Sequence, residues 1–379
     1  MARQRHRAFG DRPAPADRHG DRPADRGPGH GGGQDGGHGR GHDRGRPAPG
    51  DGPSGTVGRR TLLLGAALCC AGCSGGGTHP APTASPATHS PAGRPSSGPL
   101  PPLPAAAPWR PGPGELQPAA KLAAVEAVEA LGTWRPGQAG PAHAAARLTA
   151  LGVPAARAAR LARQTGSLAP AADEAVVQVI DAQYGGLLSG SASVLVVCAQ
   201  TTRTGGTIGH GGTTVDVRLV RGAGGWQVTA LHPAVPGPPV APGALARAVL
   251  GDSRIQLPPA SVADVRSGRV HDSVLRAMTV LAGTYRMSVS VVRSGHPLDV
   301  FGTTRPSDHP RGRAFDVWRI DGRQVVDPAT PRSLIAAFMR AAAAAGSYNV
   351  GGPVPLSGPG DQFFSDATHH DHVHMGFLS

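Results

Sequence analysis

Two short stretches near the C-terminus decide the fold of this chain: SDHPRGRAFDVW at residues 307–318 and HHDHVHMGF at residues 369–377. Residues 313–318 of the first stretch and residues 372–377 of the second predict strands, in which side chains alternate between two faces with a two-residue period. Side chains two residues apart share a face, so His372 and His374 lie together while Asp316 faces a site on its own strand. These stretches predict two strands that carry polar groups into a pocket of an α+β fold.

The polar groups of these stretches are of the types that bind zinc. Imidazole nitrogens and carboxylate oxygens are both good ligands for this ion. Gly312 would allow the backbone to turn, so that His309 returns over the face that carries Asp316. Three protein ligands, His309, Asp316 and His374, leave a fourth tetrahedral position for water, which is typical of catalytic zinc sites. We expect one zinc ion per chain.

The same residues resemble a known family, the zinc D-alanyl-D-alanine carboxypeptidases and dipeptidases, with the related murein endopeptidases and hedgehog-like domains. Its pattern S-x-H-x-x-G-x-A-x-D, closed by a distant H-x-H, is matched by Ser307, His309, Gly312, Ala314, Asp316, His372 and His374. The resemblance covers roughly residues 245–379. It implies a hedgehog/DD-peptidase fold with an antiparallel sheet, zinc at the three ligands named above, and hydrolysis of peptide bonds in peptidoglycan.

The general base has two candidates. In the carboxypeptidase branch a Glu three residues before the last His is the base, and Asp371 occupies that position here. In the endopeptidase branch the first His of H-x-H has a catalytic role, and His372 matches it. Strand alternation favours His372, because Asp371 would point away unless the strand begins or bulges there.

The segment before the first ligand departs from the family. Family members commonly have Ser-Gly-Tyr-Arg, with the Arg binding a terminal carboxylate, whereas residues 294–297 here are SGHP. Arg293 or Arg305 could bind substrate instead, together with Ser307. Absence of the family Arg favours endopeptidase action on cross-linked stem peptides over removal of a terminal D-alanine.

The N-terminal part of the chain predicts export. Residues 1–56 are almost entirely Arg, Gly, His, Asp and Pro, a composition too poor in apolar surface to fold. In residues 57–73, an Arg pair before a short apolar run resembles a twin-arginine signal, and Cys73 ends a lipoprotein-like segment. We expect a lipid anchor at Cys73 and an extracytoplasmic protein facing the cell wall. We also expect translation to begin near Val57; the alternative is a translated, long disordered segment.

Three further regions follow the signal. Residues 74–114 are rich in Pro, Ser, Thr, Ala and Gly and predict an extended linker. Residues 115–235 combine helical periodicity with four later strand-like runs, so they predict a small helix-plus-meander domain. It is similar to the cone-shaped helix-plus-curved-sheet domains found beside extracytoplasmic enzymes. A Pro-rich break precedes the zinc peptidase-like domain at residues 243–379.

Composition excludes other classes of protein. The net charge is +12, but aromatic residues make up only 4% of the chain, and no basic stripe interleaved with aromatics is present, so a nucleic-acid partner is not expected. Three of the four cysteines lie in the signal, which excludes a disulfide framework and leaves Cys198 as a buried hydrophobe.

Two rival functions stay open at this level. A zinc-bearing but catalytically silent module that binds wall polymers is the first, and the missing family Glu favours it. Metal storage by the His-rich runs is the second; it predicts several metal ions per chain instead of one.

Overall fold

The computed structural model describes residues 101–379. The predictions for the disordered start, the signal, the anchor at Cys73 and most of the linker lie outside the described residues. Residues 101–114, the end of the predicted linker, lie against the folded part of the chain. Leu103 is buried, and the Arg203 guanidinium donates to the Pro101 carbonyl over 2.5 Å.

The first half of the described chain is three helices followed by a four-stranded sheet. The elements are α1 (Pro118–Gly132), α2 (Pro141–Ala150), α3 (Ala155–Ala162), β1 (Glu174–Leu187), β2 (Ser191–Thr204), β3 (Thr207–Gly222) and β4 (Gly225–Pro233). The strands pair antiparallel in the order β1-β2-β3-β4, which confirms the predicted meander. α1 begins with a proline, whose fixed φ suits the first turn of a helix. Cys198 is fully buried on β2, as predicted.

The second half wraps four helices around a sheet of short strands. Its elements are α4 (Ala244–Gly251), β5 (Ile255–Gln256), α5 (Pro259–Arg266), α6 (Asp272–Ala282), β6 (Met287–Val289), β7 (Ala314–Ile320), β8 (Arg323–Gln324), α7 (Arg332–Ala344), β9 (Asn349–Gly351), β10 (Phe363–Phe364) and β11 (Val373–Gly376). The strand order is β10-β9-β11-β7-β6-β5, with β8 beside β7. The pairs β10/β9 and β5/β6 are parallel, and the others are antiparallel.

The core of the second half lies on one face of this sheet. Phe315 and Val317 on β7 and Met375 on β11 are fully buried there, together with Phe338 of α7. α7 presents its apolar residues at the 3, 4 and 7 spacing of a helix face. Burial of each large apolar side chain contributes about 1.5–3 kcal/mol. Strand alternation then places the intervening polar side chains on the opposite face.

That opposite face adjoins the first half. The Leu187 amide at the end of β1 donates to the Thr368 hydroxyl over 3.0 Å, and a side chain at Gly186 would collide with Phe301. The described residues all belong to one compact unit. With seven α-helices in residues 101–379, the fold is mixed α and β with an antiparallel sheet, as predicted. None of these helices has the length and apolar character needed to cross a membrane.

Candidate metal centre

Strand pairing brings the first two polar side chains together. β11 pairs antiparallel with β7, and the register sets His374 directly opposite Asp316. Their neighbours Phe315 and Met375 point into the core, so both polar side chains point to the other face. The His374 Nδ1 lies 2.9 Å from Asp316 Oδ1.

A tight turn before β7 places the third side chain, that of His309, near the other two. Gly312 has a φ of 72°, and a Cβ there would collide with the Arg269 carbonyl oxygen. Its amide donates to the His309 carbonyl over 2.8 Å, which folds the segment back over the strand. Only glycine meets both requirements. The predicted role of Gly312 in returning His309 to the site is confirmed.

Three donor atoms converge at this point. His309 Nε2 lies 3.1 Å from Asp316 Oδ1 and 3.1 Å from His374 Nδ1. Zinc ligands about 2.0–2.1 Å from a shared tetrahedral ion would be separated by roughly 3.3 Å. The spacing of the three atoms, all on buried residues, fits such an ion.

The orientation of His309 also fits metal binding. Its Nδ1 lies 2.9 Å from the Val292 carbonyl, so the ring donates a hydrogen there and keeps the Nε2 lone pair for the site. Burial is the largest influence on His374, and it lowers the pKa of that imidazole to about 4 despite the opposing effect of Asp316. A neutral imidazole is the form that binds metal.

A third histidine, His296, lies beside this group. Donor atoms of His296, His309 and Asp316 lie within 4.8 Å of one another, so these residues could also hold a metal ion. The His296 ring stacks on that of His309, with centroids 4.0 Å apart. Burial, followed by the charge of His309, lowers the pKa of His296 well below its usual range, although Asp316 opposes this.

Sequence reasoning missed His296 as a donor. The signal was present in the SGHP segment at residues 294–297, where the histidine was noted only as a departure from the family pattern. The two donor sets share His309 and Asp316. The donor atoms of His309, Asp316 and His374 lie within 3.1 Å of one another, and those of His296, His309 and Asp316 within 4.8 Å.

His372 and Asp371 form a buried pair at the edge of the donor group. Asp371 Oδ1 accepts from His372 Nδ1 over 2.7 Å, and His372 Nε2 lies 3.7 Å from Asp316 Oδ2. β11 begins only at Val373, so both residues precede the strand. Asp371 contacts Nδ1 of the imidazole, the nitrogen opposite the one that faces Asp316. Burial alone would lower the pKa of His372, but Asp316 and Asp371 outweigh it and raise that pKa.

Side chains from the first half reach the same site. Gln183 on β1 donates to Asp316 Oδ2 over 2.6 Å. Lys121 on α1 binds Asp371 Oδ2 over 2.7 Å, and the Tyr184 amide donates to the same oxygen over 2.9 Å. Sequence reasoning did not identify any of these contacts, because they join residues more than 130 positions apart and follow no local pattern.

The donor group opens into a cleft of about 740 Å³. His309, His372 and His374 line this cleft, as does the β1 segment 184–188. Of the predicted substrate-binding residues, Arg305 and Ser307 line this cleft.

Arg293 does not line the cleft. Its guanidinium contacts the Pro236 carbonyl at 3.1 Å and Asp264 at 3.5 Å, and it faces a separate cavity. The structure therefore brings together all the predicted metal and catalytic residues and two of the three predicted substrate residues.

Comparison of the chain with protein-family models, with curated proteins and with solved structures gave no match. Support for a function therefore comes from the geometry of the site and from the motifs that build it.

Proposed function

We propose that this chain is an exported zinc metallopeptidase that hydrolyses peptide bonds in peptidoglycan. The observation that carries the proposal is the convergence of His309 Nε2, Asp316 Oδ1 and His374 Nδ1 within 3.1 Å of one another, beside His372, which lines an open cleft. Three protein ligands leave room for a non-protein ligand, as catalytic zinc sites require. The family resemblance of residues 245–379 supports the same reaction.

The chemistry divides between the ion and the chain. A zinc ion held at this site supplies an acidified water and a polarised scissile carbonyl. His372 accepts the proton of the attacking water at Nε2 and delivers it to the leaving amine. Asp371 holds hydrogen on Nδ1 of the same ring, so that Nε2 is the basic nitrogen. Of the two candidate bases, this arrangement favours His372 and gives Asp371 an orienting role.

The segment before the first ligand favours cross-linked stem peptides as substrates. Residues 294–297 are SGHP and lack the family Arg that binds a terminal carboxylate. We therefore propose endopeptidase action ahead of D-Ala-D-Ala carboxypeptidase action. Arg305 lines the cleft and is available to a stem peptide, whereas Arg293 is engaged by Asp264. Export through residues 57–73 and a lipid at Cys73 belong to the same proposal, since they would place the site beside the wall.

Digestion of purified peptidoglycan tests the function. The zinc-loaded chain should release amino groups and convert cross-linked muropeptides to monomers, as followed by mass spectrometry. Loss of a single D-alanine would instead identify a carboxypeptidase. His372→Ala is the control: it should keep the metal and lose roughly 10²–10⁴-fold in kcat. Release of amine no greater than in this control would contradict the peptidase proposal.

The position of His296 favours a second candidate, a catalytically silent zinc module that binds wall polymers. Its ring lies next to His309, within reach of the donor group. A fourth protein ligand would close the coordination sphere, which is typical of structural zinc sites. Binding to intact peptidoglycan with one zinc bound and no released amine would support this alternative.

A further inference from the structure

A buried chain of hydrogen bonds connects α1 of the first half to the imidazole beside the metal site. It runs from Glu115 to Lys121, then to Asp371 and His372, with separations of 2.5, 2.7 and 2.7 Å. The side chains of Lys121, Asp371 and His372 are no more than 3% exposed. Water is therefore largely excluded from these contacts, and each one is stronger than on a surface.

We propose that Lys121 is a positioning residue for the reaction, acting on His372 through Asp371. This rests on the proposed function, since His372 is the base of that reaction. Asp371 uses one oxygen for His372 and the other for Lys121 and the Tyr184 amide. Both oxygens are thus held, and the carboxylate cannot rotate away from the imidazole.

The charges around Lys121 support this role. Glu115, Asp181 and Asp371 are the acidic groups whose charges act on its ammonium, and all three raise its pKa against the effect of burial. Lys121 thus stays positive. The pKa of Asp371 is lowered although burial alone would raise it, chiefly because of Lys121. An ionised Asp371 is the acceptor that keeps hydrogen on Nδ1 of His372.

The proposal gives the helix-plus-meander region a function within the site. Lys121 lies on α1, and Tyr184 and Gln183 lie on β1, so the first half supports both the base and the ligand Asp316. A buried ion pair that only stabilised the fold would make the same contacts. The test must therefore separate positioning from stability.

Lys121→Met is the test variant, and Arg203→Met is its matched control. Arg203 is a buried cation of the same half, 2.9 Å from Glu174, and it does not contact the site. Both variants lose a buried charge partner and should lose stability. Only Lys121→Met should lose kcat, by roughly 10–100-fold. Its KM and zinc content should stay within about twofold of the wild-type values.

Nitrogen-15 NMR of histidine-labelled, zinc-loaded protein supplies a readout that needs no substrate. The His372 ring should be the Nδ1–H tautomer in the wild type and in Arg203→Met, and a mixture in Lys121→Met. A changed tautomer with unchanged kcat, or a changed kcat with unchanged tautomer, would overturn the proposal. If the wild type has no peptidase activity, the proposed function fails, and the tautomer alone decides whether Lys121 orients His372.

A double-mutant cycle keeps the proposal testable if Lys121→Met folds poorly. Lys121→Met combined with Asp371→Asn removes the charges of both residues, so that no unpaired carboxylate is left at Asp371, while Glu115 loses its partner in the single and the double variant alike. If Lys121 acts through Asp371, adding Lys121→Met to Asp371→Asn should change kcat by less than about twofold. Losses that multiply independently would show that Lys121 acts by another route and overturn the proposal.

Discussion

The two sheets of this molecule differ in regularity, and the difference explains where the site lies. The first sheet has strands of 9 to 16 residues that pair in sequence order. The second has strands of 2 to 7 residues joined by loops, and those strands and loops carry His309, Asp316, His372 and His374. Short strands end close to the site, so adjoining loops can bring side chains from distant segments into one cleft.

The regular sheet contributes to the site at β1, whose register against β2 is interrupted twice. β1 shifts register against β2 between Val179 and Asp181 and again between Tyr184 and Gly186. The segment between these shifts supplies Gln183 and the Tyr184 amide to the site. Bulges re-aim side chains out of a regular ladder. A regular sheet can thus contribute hydrogen-bond donors to a site at a point where its strand register is interrupted.

Removing a ligand from the irregular sheet should have the largest effect. Asp316→Asn replaces the carboxylate that His309, His374 and Gln183 all contact. Zinc content should fall from about one per chain to near zero, and activity with it, because an amide is a poor replacement for a carboxylate at this site. Elemental analysis after dialysis measures the loss.

Asp216→Asn is the matched control for that substitution. Asp216 is equally buried, but it lies on β3 and pairs with Arg218 and Ser193. This variant should lose stability and keep its zinc. Equal loss of zinc in both variants would contradict the assignment of the metal site to the second sheet.

Removing the contribution of the regular sheet should have an intermediate effect. Gln183→Leu deletes the donor to Asp316 Oδ2, and loss of such a partner weakens metal binding by roughly 10–100-fold. Competition with a zinc-binding dye measures the dissociation constant. Gln200→Leu, which removes a buried amide bound to the Gly132 and Leu168 carbonyls, is the control and should leave zinc affinity unchanged. The same affinity for the Gln183 variant and the wild type would show that β1 does not support the ligand.

The turn before β7 should show a smaller effect, on stability. Gly312→Ala places a Cβ at a φ of 72° and against the Arg269 carbonyl, whereas Gly346→Ala places one at a φ of 99° in open space. Both variants lose about 1–2 kcal/mol for the left-handed backbone. Only Gly312→Ala adds a collision. Urea unfolding should give a larger loss of unfolding free energy for Gly312→Ala than for Gly346→Ala. Equal losses would contradict the close approach of Gly312 to the Arg269 carbonyl.

The smallest effect is a change in how stability depends on pH. Burial raises the pKa of Asp181 to about 7 although Lys121 opposes it, while the unfolded carboxyl titrates near 4. The folded state therefore holds a proton that the unfolded state has released, and this contribution to stability is lost as pH rises through about 7.

Urea unfolding at several pH values tests this dependence. Between pH 5 and pH 8, the free energy of unfolding should fall more steeply in the wild type than in Asp181→Asn. The exposed Asp299 provides the control substitution, which should follow the wild type. Parallel curves for Asp181→Asn and the wild type would show that folding does not raise the pKa of Asp181.

Much of the site could be predicted from local sequence, because short spacing determines it. The seven-residue interval from His309 to Asp316 spans one turn and the start of one strand, and alternation along β11 places His374 on the face opposite Met375. The meander was predictable because its strands follow one another along the chain. The alternation of side chains along a strand could not predict the direction of the Asp371 side chain, because Asp371 precedes β11.

The remaining parts depend on tertiary packing. Lys121 lies 250 residues before Asp371, and Gln183 lies 133 residues before Asp316. A lysine in an Ala-rich helix looks like an exposed residue, and only the packed structure shows that its side chain is 1% exposed. In the sequence, His296 is an isolated polar residue. Only the structure shows that its ring stacks on the ring of His309.

A crystal structure of the zinc-loaded protein, with anomalous data collected at the zinc edge, tests the central claim most directly. We expect one zinc ion bound by His309 Nε2, Asp316 Oδ1 and His374 Nδ1, with a non-protein fourth ligand in the cleft. A zinc ion that also binds His296 and has no solvent ligand, or zinc bound elsewhere in the chain, would contradict it.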